Sequence, residues 1–67
     1  MNWTCVNSSN VVAVAYKESN LYVEYRRGEY VYKNVPKKVY DGLLAAESKG
    51  KYMNAEVKGK YEYERVG

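Results

Sequence analysis

The sequence predicts an α+β domain: a three-stranded antiparallel meander packed by one main helix, ending in a short helical or extended tail. Three observations carry that expectation. Leu21 to Lys33, LYVEYRRGEYVYK, alternates apolar or aromatic residues with polar ones on both sides of a Gly-containing turn. Val11 to Tyr16 alternates in the same way ahead of a polar loop. From Lys37 to Lys49 the apolar spacing changes from two to the helical period.

The hairpin is read first. With Arg27-Gly28 as a two-residue turn, Arg26 pairs with Glu29, Tyr25 with Tyr30 and Val23 with Tyr32. Residues two apart on a strand, and residues directly opposite on its partner, share a face. Leu21, Val23, Tyr25, Tyr30 and Tyr32 therefore fall together. The other face carries Tyr22 opposite Lys33, Glu24 opposite Val31 and Arg26 opposite Glu29. Upstream, Lys17-Glu18-Ser19-Asn20 suits a four-residue loop that sets Tyr16 opposite Leu21, Val14 opposite Val23 and Val12 opposite Tyr25. Val12, Val14 and Tyr16 then join the same core face.

Asn34-Val35-Pro36 ends the third strand, with Pro36 suited to the first helical position. Val39, Leu43 and Ala46, joined by Tyr40 and Leu44, make the inward stripe of the helix, and Val39 and Leu43 are its core residues. Gly50 suits the position after the helix. Gly42, inside it, costs about 1 kcal/mol relative to Ala, which close packing on the sheet would explain. Before the meander, Met1 to Asn10 is polar and turn-rich, with Trp3 and Val6 as anchors. After the helix, Tyr52 to Val57 reads as a short helix in preference to a strand. Tyr61 to Val66 alternates and is expected at a sheet edge or over the second face. Lys49-Gly50-Lys51-Tyr52 and Lys58-Gly59-Lys60-Tyr61 read as two similar loops.

At 67 residues the chain, 1–67, is one small domain. One Cys and no His exclude an internal disulfide and leave no ligand set for structural zinc. No apolar window is long enough to span a bilayer, and the N-terminus has no signal-peptide pattern; a cytoplasmic location is expected, which an unpaired Cys also fits. The net charge of +3 leans toward anionic partners, although eight acidic residues interleave with eleven basic ones. Nine Tyr with no Phe is the unusual feature. Tyr serves as a core aromatic with a polar tip or as a binding platform.

Catalysis lacks its parts. Without His the commonest acid-base residue is gone. Ser8-Ser9 reads as turn chemistry and Cys5 as a small packing residue, with no base or oxyanion hole beside either. The carboxylates are scattered among Lys and Arg, and no phosphate loop is present. The expectation is a non-catalytic binding module with no cofactor and no metal.

The order of features resembles a known family. Ser8-Ser9-Asn10-Val11, Val14-Ala15-Tyr16, Leu21-Tyr22-Val23-Glu24-Tyr25, Gly28, Tyr30-Val31-Tyr32, Val35-Pro36, Val39-Tyr40, Leu43-Leu44-Ala45-Ala46, Ser48-Lys49-Gly50 and Tyr52-Met53-Asn54 together resemble the KTSC domain. The resemblance covers roughly residues 8–61, with Tyr30-Val31-Tyr32 matching the family's central YxY, and Tyr25 and Met53 standing where similar proteins often have Phe. The family takes its name from the C-terminus of some lysyl-tRNA synthetases and also occurs as stand-alone proteins of bacteria and phages. The resemblance implies the fold more firmly than any activity; RNA binding is the suggestion that goes with the synthetase attachment.

Two functional expectations follow. The first is nucleic-acid binding, RNA ahead of DNA, by aromatic faces that stack bases and by Lys or Arg that neutralise phosphates. Its expected residues are Tyr22, Arg26 and Lys33 with Val31 on the second sheet face, flanked by Ala13 and Ala15, together with Arg27 and the loop lysines Lys49, Lys51, Lys58 and Lys60. Tyr30 and Tyr32, on the core face, read as structural. The second expectation is a protein-interaction or inhibitor module of a phage or bacterial regulator, binding a host protein or forming a homo-oligomer. A sink for small nucleotides ranks behind both. No membrane partner is expected.

Overall fold

The computed structural model describes all 67 residues. Its sheet has five antiparallel strands, not three, in the order of the chain: β1 (Thr4–Cys5), β2 (Val11–Lys17), β3 (Asn20–Tyr25), β4 (Gly28–Tyr32) and β5 (Tyr63–Arg65). The predicted meander is its centre. The first of the extra strands is two residues long, too short to alternate, while the second, of three residues, lies in the alternating tail and takes the sheet-edge place, one of the two expected for it. Both sit at sheet edges, where short strands limit pairing with other chains.

The first hairpin keeps its predicted register, Tyr16 opposite Leu21 and Val14 opposite Val23, but its loop is tighter than expected. Lys17 and Asn20 pair, leaving Glu18 and Ser19 as a two-residue turn with φ of 52° and 65°. That left-handed geometry matches the twist of the flanking strands. The carbonyl of Ser19 then accepts from the Val35 N–H at 2.7 Å, tying the turn to the segment that leads into the helix. At the other end of β2 a bulge intervenes. Val11, not Val12, lies opposite Tyr25 and is fully buried, while Val12 is only half-buried and outside the core. One extra residue re-aims everything before it.

The second hairpin is shifted by two residues from the predicted register. Tyr25 lies opposite Gly28, Val23 opposite Tyr30 and Leu21 opposite Tyr32, with Arg26-Arg27 as the turn. A shift of two preserves side-chain parity, so the assigned faces survive although every pair changes partner. Gly28 starts β4 rather than sitting in the turn. A Cβ there would lie 2.9 Å from the Arg65 guanidinium and 3.0 Å from the Gly67 carbonyl oxygen. The glycine admits the C-terminal strand's arginine, whose Nη2 donates to the Arg27 carbonyl at 2.8 Å.

The predicted main helix ends at Ala45, short of Lys49, and the short helix expected at Tyr52 to Val57 begins three residues early, at Lys49. Helix α1 spans Lys37–Ala45, and Pro36 precedes it as the cap residue. Ser48 caps α2 (Lys49–Tyr52), its Oγ accepting from the Lys51 N–H at 3.3 Å. Gly50 therefore lies inside the second helix and does not terminate the first. Lys49 Nζ instead satisfies carbonyls at the end of α1, donating to Leu44 and Ala46. The segment continues as one π-helical turn, Met53–Val57, closed by the Lys58 N–H donating to the Met53 carbonyl at 2.8 Å. Met53 and Val57 are both fully buried.

These helical segments cover one face of the sheet. The core is Val11, Val14, Leu21, Val23, Tyr32, Val35, Leu43, Met53 and Val57, with Tyr16, Tyr25, Tyr30 and Val39 packed half-buried against it. Leu44, assigned to the inward stripe, is 38% exposed. Cys5, expected as a packing residue, is exposed on β1. No helix is long and apolar enough to cross a membrane.

Gly42 is explained by α2, not by the sheet. A Cβ there would overlap Tyr52 Oη and lie 3.0 Å from Cζ, and that hydroxyl donates to the Val39 carbonyl at 2.9 Å. Gly42→Ala is expected to lower stability by about 1 kcal/mol, because overpacking and the lost hydrogen bond outweigh the gain in helix propensity. Thermal unfolding of Gly42→Ala, alone and with Tyr52→Ala, checks this. The second change relieves the clash and makes the pair less than additive.

Candidate functional site

Along one end of the helix-covered face, the β3–β4 turn, the Ser8–Asn10 loop and the α2–π segment enclose a cleft with two adjoining chambers. One is polar, about 590 Å³, and contains Ser8, Ser9, Asn10, Ser48 and Asn54 together with Arg26, Arg27, Lys51 and Lys58. The other, about 530 Å³, is bounded by Tyr25, Tyr30, Tyr32 and Tyr63, with Arg27, Lys58 and Gly59. Tyr25, Arg27 and Lys58 belong to both. The Lys58 ammonium lies over the Tyr25 ring, 5.0 Å from its centroid, a cation–π contact between the chambers.

Charge is sorted into this cleft. It holds four of the eleven basic residues and none of the eight acidic ones. The three ion pairs, Lys33–Glu64, Lys37–Asp41 and Lys60–Glu56, all lie elsewhere. None of the cleft's four cations has a carboxylate partner, and Arg26 is held by its Nε donating to the Ser9 carbonyl at 2.6 Å. Four like charges gathered without counter-ions attract anions, most strongly at low salt.

The tyrosines are layered. Tyr32 is 3% exposed and shares a 2.8 Å hydroxyl hydrogen bond with Tyr25. Burial raises the Tyr25 hydroxyl far above its ordinary pKa, and the bond to Tyr32 adds to that; burial also raises Tyr32, with the same bond partly opposing it. Both rings stay neutral at any physiological pH. Tyr30 packs edge-on to Tyr25, centroids 5.5 Å apart, and Tyr63 closes over Tyr30 and Tyr32 at 5.9 Å from each.

The expected binding residues are thus divided. Arg26, Arg27, Lys51 and Lys58 converge on the cleft. Lys49 is spent on helix carbonyls, and Lys60 faces Glu56 at 4.0 Å. The two KGKY segments are not similar loops: the first is helical because Ser48 caps it, and the second is a turn with Gly59 at φ 81°. Tyr22 and Lys33 lie on the opposite sheet face, where Lys33 pairs with Glu64 at 3.4 Å. Val31, Ala13 and Ala15 on that face are buried, with Trp3 edge-on to Tyr22. Arg26 is not on it, because the shifted register puts that residue in the turn. What the sequence reading missed is the aromatic wall, above all Tyr63. The excess of Tyr over Phe was the available signal, since a ring with a hydroxyl suits a half-wet surface.

No group of three or more His, Cys, Asp or Glu is placed to hold a metal.

Fold and cleft together define a small one-sheet α+β domain with a basic, tyrosine-walled surface site. The chain belongs to the KTSC domain family, whose model matches residues 7–61. It is 41% identical over 59 residues to a protein of Tsukamurella paurometabola, covering 84% of this chain and 88% of that one. The crystal structure of a KTSC domain protein from Yersinia pestis superposes with a TM-score of 0.94 at 28% identity, covering 98% of this chain and 97% of the other.

The tyrosine pair has a pH signature. In the folded state the Tyr25 and Tyr32 hydroxyls are raised above the unfolded value of 10.0. Stability is therefore full below that pH and is lost as pH rises from it toward the folded values. Melting temperature should fall from about pH 10 upward, with tyrosinate absorbance of the folded protein lagging behind that of the unfolded chain. Tyr25→Phe should flatten the alkaline fall and cost about 1 kcal/mol at neutral pH through the lost hydrogen bond.

Proposed function

We propose that this domain is a non-catalytic module that binds single-stranded nucleic acid, RNA ahead of DNA, in the two-chamber cleft. The observation that carries the reading is the sorting of charge: four unpaired cations and no carboxylate surround a chamber continuous with a tyrosine wall. Single strands are bound by this pairing of basic groove and aromatic face. The Ser and Asn side chains of the polar chamber are suited to hydrogen-bond ribose 2′-hydroxyls, which favours RNA. The cleft replaces the second sheet face as the proposed surface. On that face Lys33 is ion-paired and the small apolar residues are covered.

A second reading, a protein partner, is favoured by Trp3, which is 37% exposed beside Tyr22 at the opposite edge of the sheet. Salt separates the two. Anisotropy of a labelled single-stranded RNA should show log affinity falling linearly with log salt, at about −0.7 per neutralised phosphate and so about −3 for four contacts. Arg27→Ala with Lys51→Ala should cut the slope by about half. Absence of binding at low salt contradicts the reading and turns the search to a protein partner.

A further inference from the structure

The two chambers differ in what they offer a strand. The polar chamber presents four cations beside Ser and Asn side chains, Arg26 and Lys51 its own and Arg27 and Lys58 shared with the other chamber. The other chamber presents rings. Tyr63 lies 5.9 Å from both Tyr30 and Tyr32, tilted by 46° and 38°. That is the spacing of rings already in contact, so nothing inserts between them. Tyr30 and Tyr63 are the accessible rings of this platform, over buried Tyr32, and Lys58 and Gly59 line the same chamber. A Cβ on Gly59 would meet nothing within 4 Å, so that wall is open.

The platform also has an unequal division of exposure. Tyr32 is buried and its hydroxyl is occupied by Tyr25. Tyr63 is 62% exposed, and neither its hydroxyl nor that of Tyr30 hydrogen-bonds within the chain. An aromatic ring held by a three-residue edge strand, over two other rings, contributes less to the core than its size would allow. It also falls outside residues 7–61, the part that matches the family model.

Resting on the reading above, we propose that the aromatic chamber is a single-base subsite. One unpaired base of the strand stacks on the accessible rings, Tyr63 as its principal contact with Tyr30 beside it, and the adjoining phosphate enters the polar chamber between Arg27 and Lys51. A volume of about 530 Å³ accommodates one base with its sugar. The consequence is discrimination against duplex, because a paired base cannot reach the platform. Stacking is tolerant of base identity, so sequence preference should be slight.

The test compares a labelled single-stranded RNA with its duplex on the full chain, for the parent protein and for Tyr63→Ala, Tyr63→Leu, Tyr63→Phe and Lys51→Ala. The parent should favour the single strand. Tyr63→Ala and Tyr63→Leu should each weaken it by about tenfold or more, as loss of one base stack does, with the salt slope unchanged. Tyr63→Phe should retain affinity. Lys51→Ala should instead flatten the slope by about 0.7. Circular dichroism checks folding, and Tyr63→Leu keeps the strand apolar should Ala unfold it. Full affinity in a folded Tyr63→Leu, alongside loss in Lys51→Ala, overturns the base subsite while leaving nucleic-acid binding in place. Binding of duplex as tightly as single strand overturns it too. No binding of either form removes both proposals.

Discussion

The seating of Met53 and Val57 on the sheet is the contact on which the rest of this molecule depends. A small chain has little apolar surface to bury, and here a single sheet face must be covered by two short helices and one π-helical turn. Met53 and Val57 are fully buried, in one core cluster with Val11, Val14, Val23 and Tyr32. Four residues apart, Met53 and Val57 lie on one face of the helical turn and are buried together. Tyr52, one residue earlier, locks the same segment to α1 through the Val39 carbonyl, in space that Gly42 leaves open. The buried pair and this hydrogen bond together position the segment bearing Lys51 and Lys58 relative to the turn bearing Arg26 and Arg27.

The cleft is a by-product of incomplete cover. The helical layer reaches the middle of the sheet and stops short of the β3–β4 turn. Tyrosine is the residue that tolerates such a boundary, with its ring on the core and its hydroxyl toward water. Tyr30 and Tyr63 stand there, while Tyr25 turns its hydroxyl inward to Tyr32, which is fully integrated into the core. Tyr25, Tyr30 and Tyr32 thus finish the core and, with Tyr63, begin the site. On the far side of the sheet, packing uses Trp3, Tyr22, Val31 and two alanines, and the charges there are paired or mixed in sign.

The central meander was legible because alternation survives errors in pairing. The second hairpin was read two residues out of register, yet Val23, Tyr30 and Tyr32 still shared a face, since parity and not partner decides it. The bulge at Val11–Ala13 has no such protection, and it exchanged Val12 for Val11 in the core. Helix punctuation failed at Ser48 and Gly50 because either a C-terminal glycine or an N-cap serine fits that stretch locally. Tertiary contact with Gly42 settles it. For the site, the basic residues could be named individually, but their convergence could not. Lys49 and Lys51 are two residues apart and point to different tasks, one to helix carbonyls and one to the cleft. Tyr63 was visible only as part of an alternating tail whose destination long-range pairing decides.

In the proposed mode of binding, ligand is received on the helix-covered end of the sheet, in the cleft, and not on the opposite face. An amide-shift map of isotopically labelled protein titrated with a short single-stranded RNA at low salt tests this most directly. The account predicts shifts at Ser9, Arg27, Lys51, Lys58, Gly59 and Tyr63, with Ala15, Tyr22 and Lys33 unmoved. Shifts centred on Ala15, Tyr22 and Lys33, with the cleft silent, would contradict it.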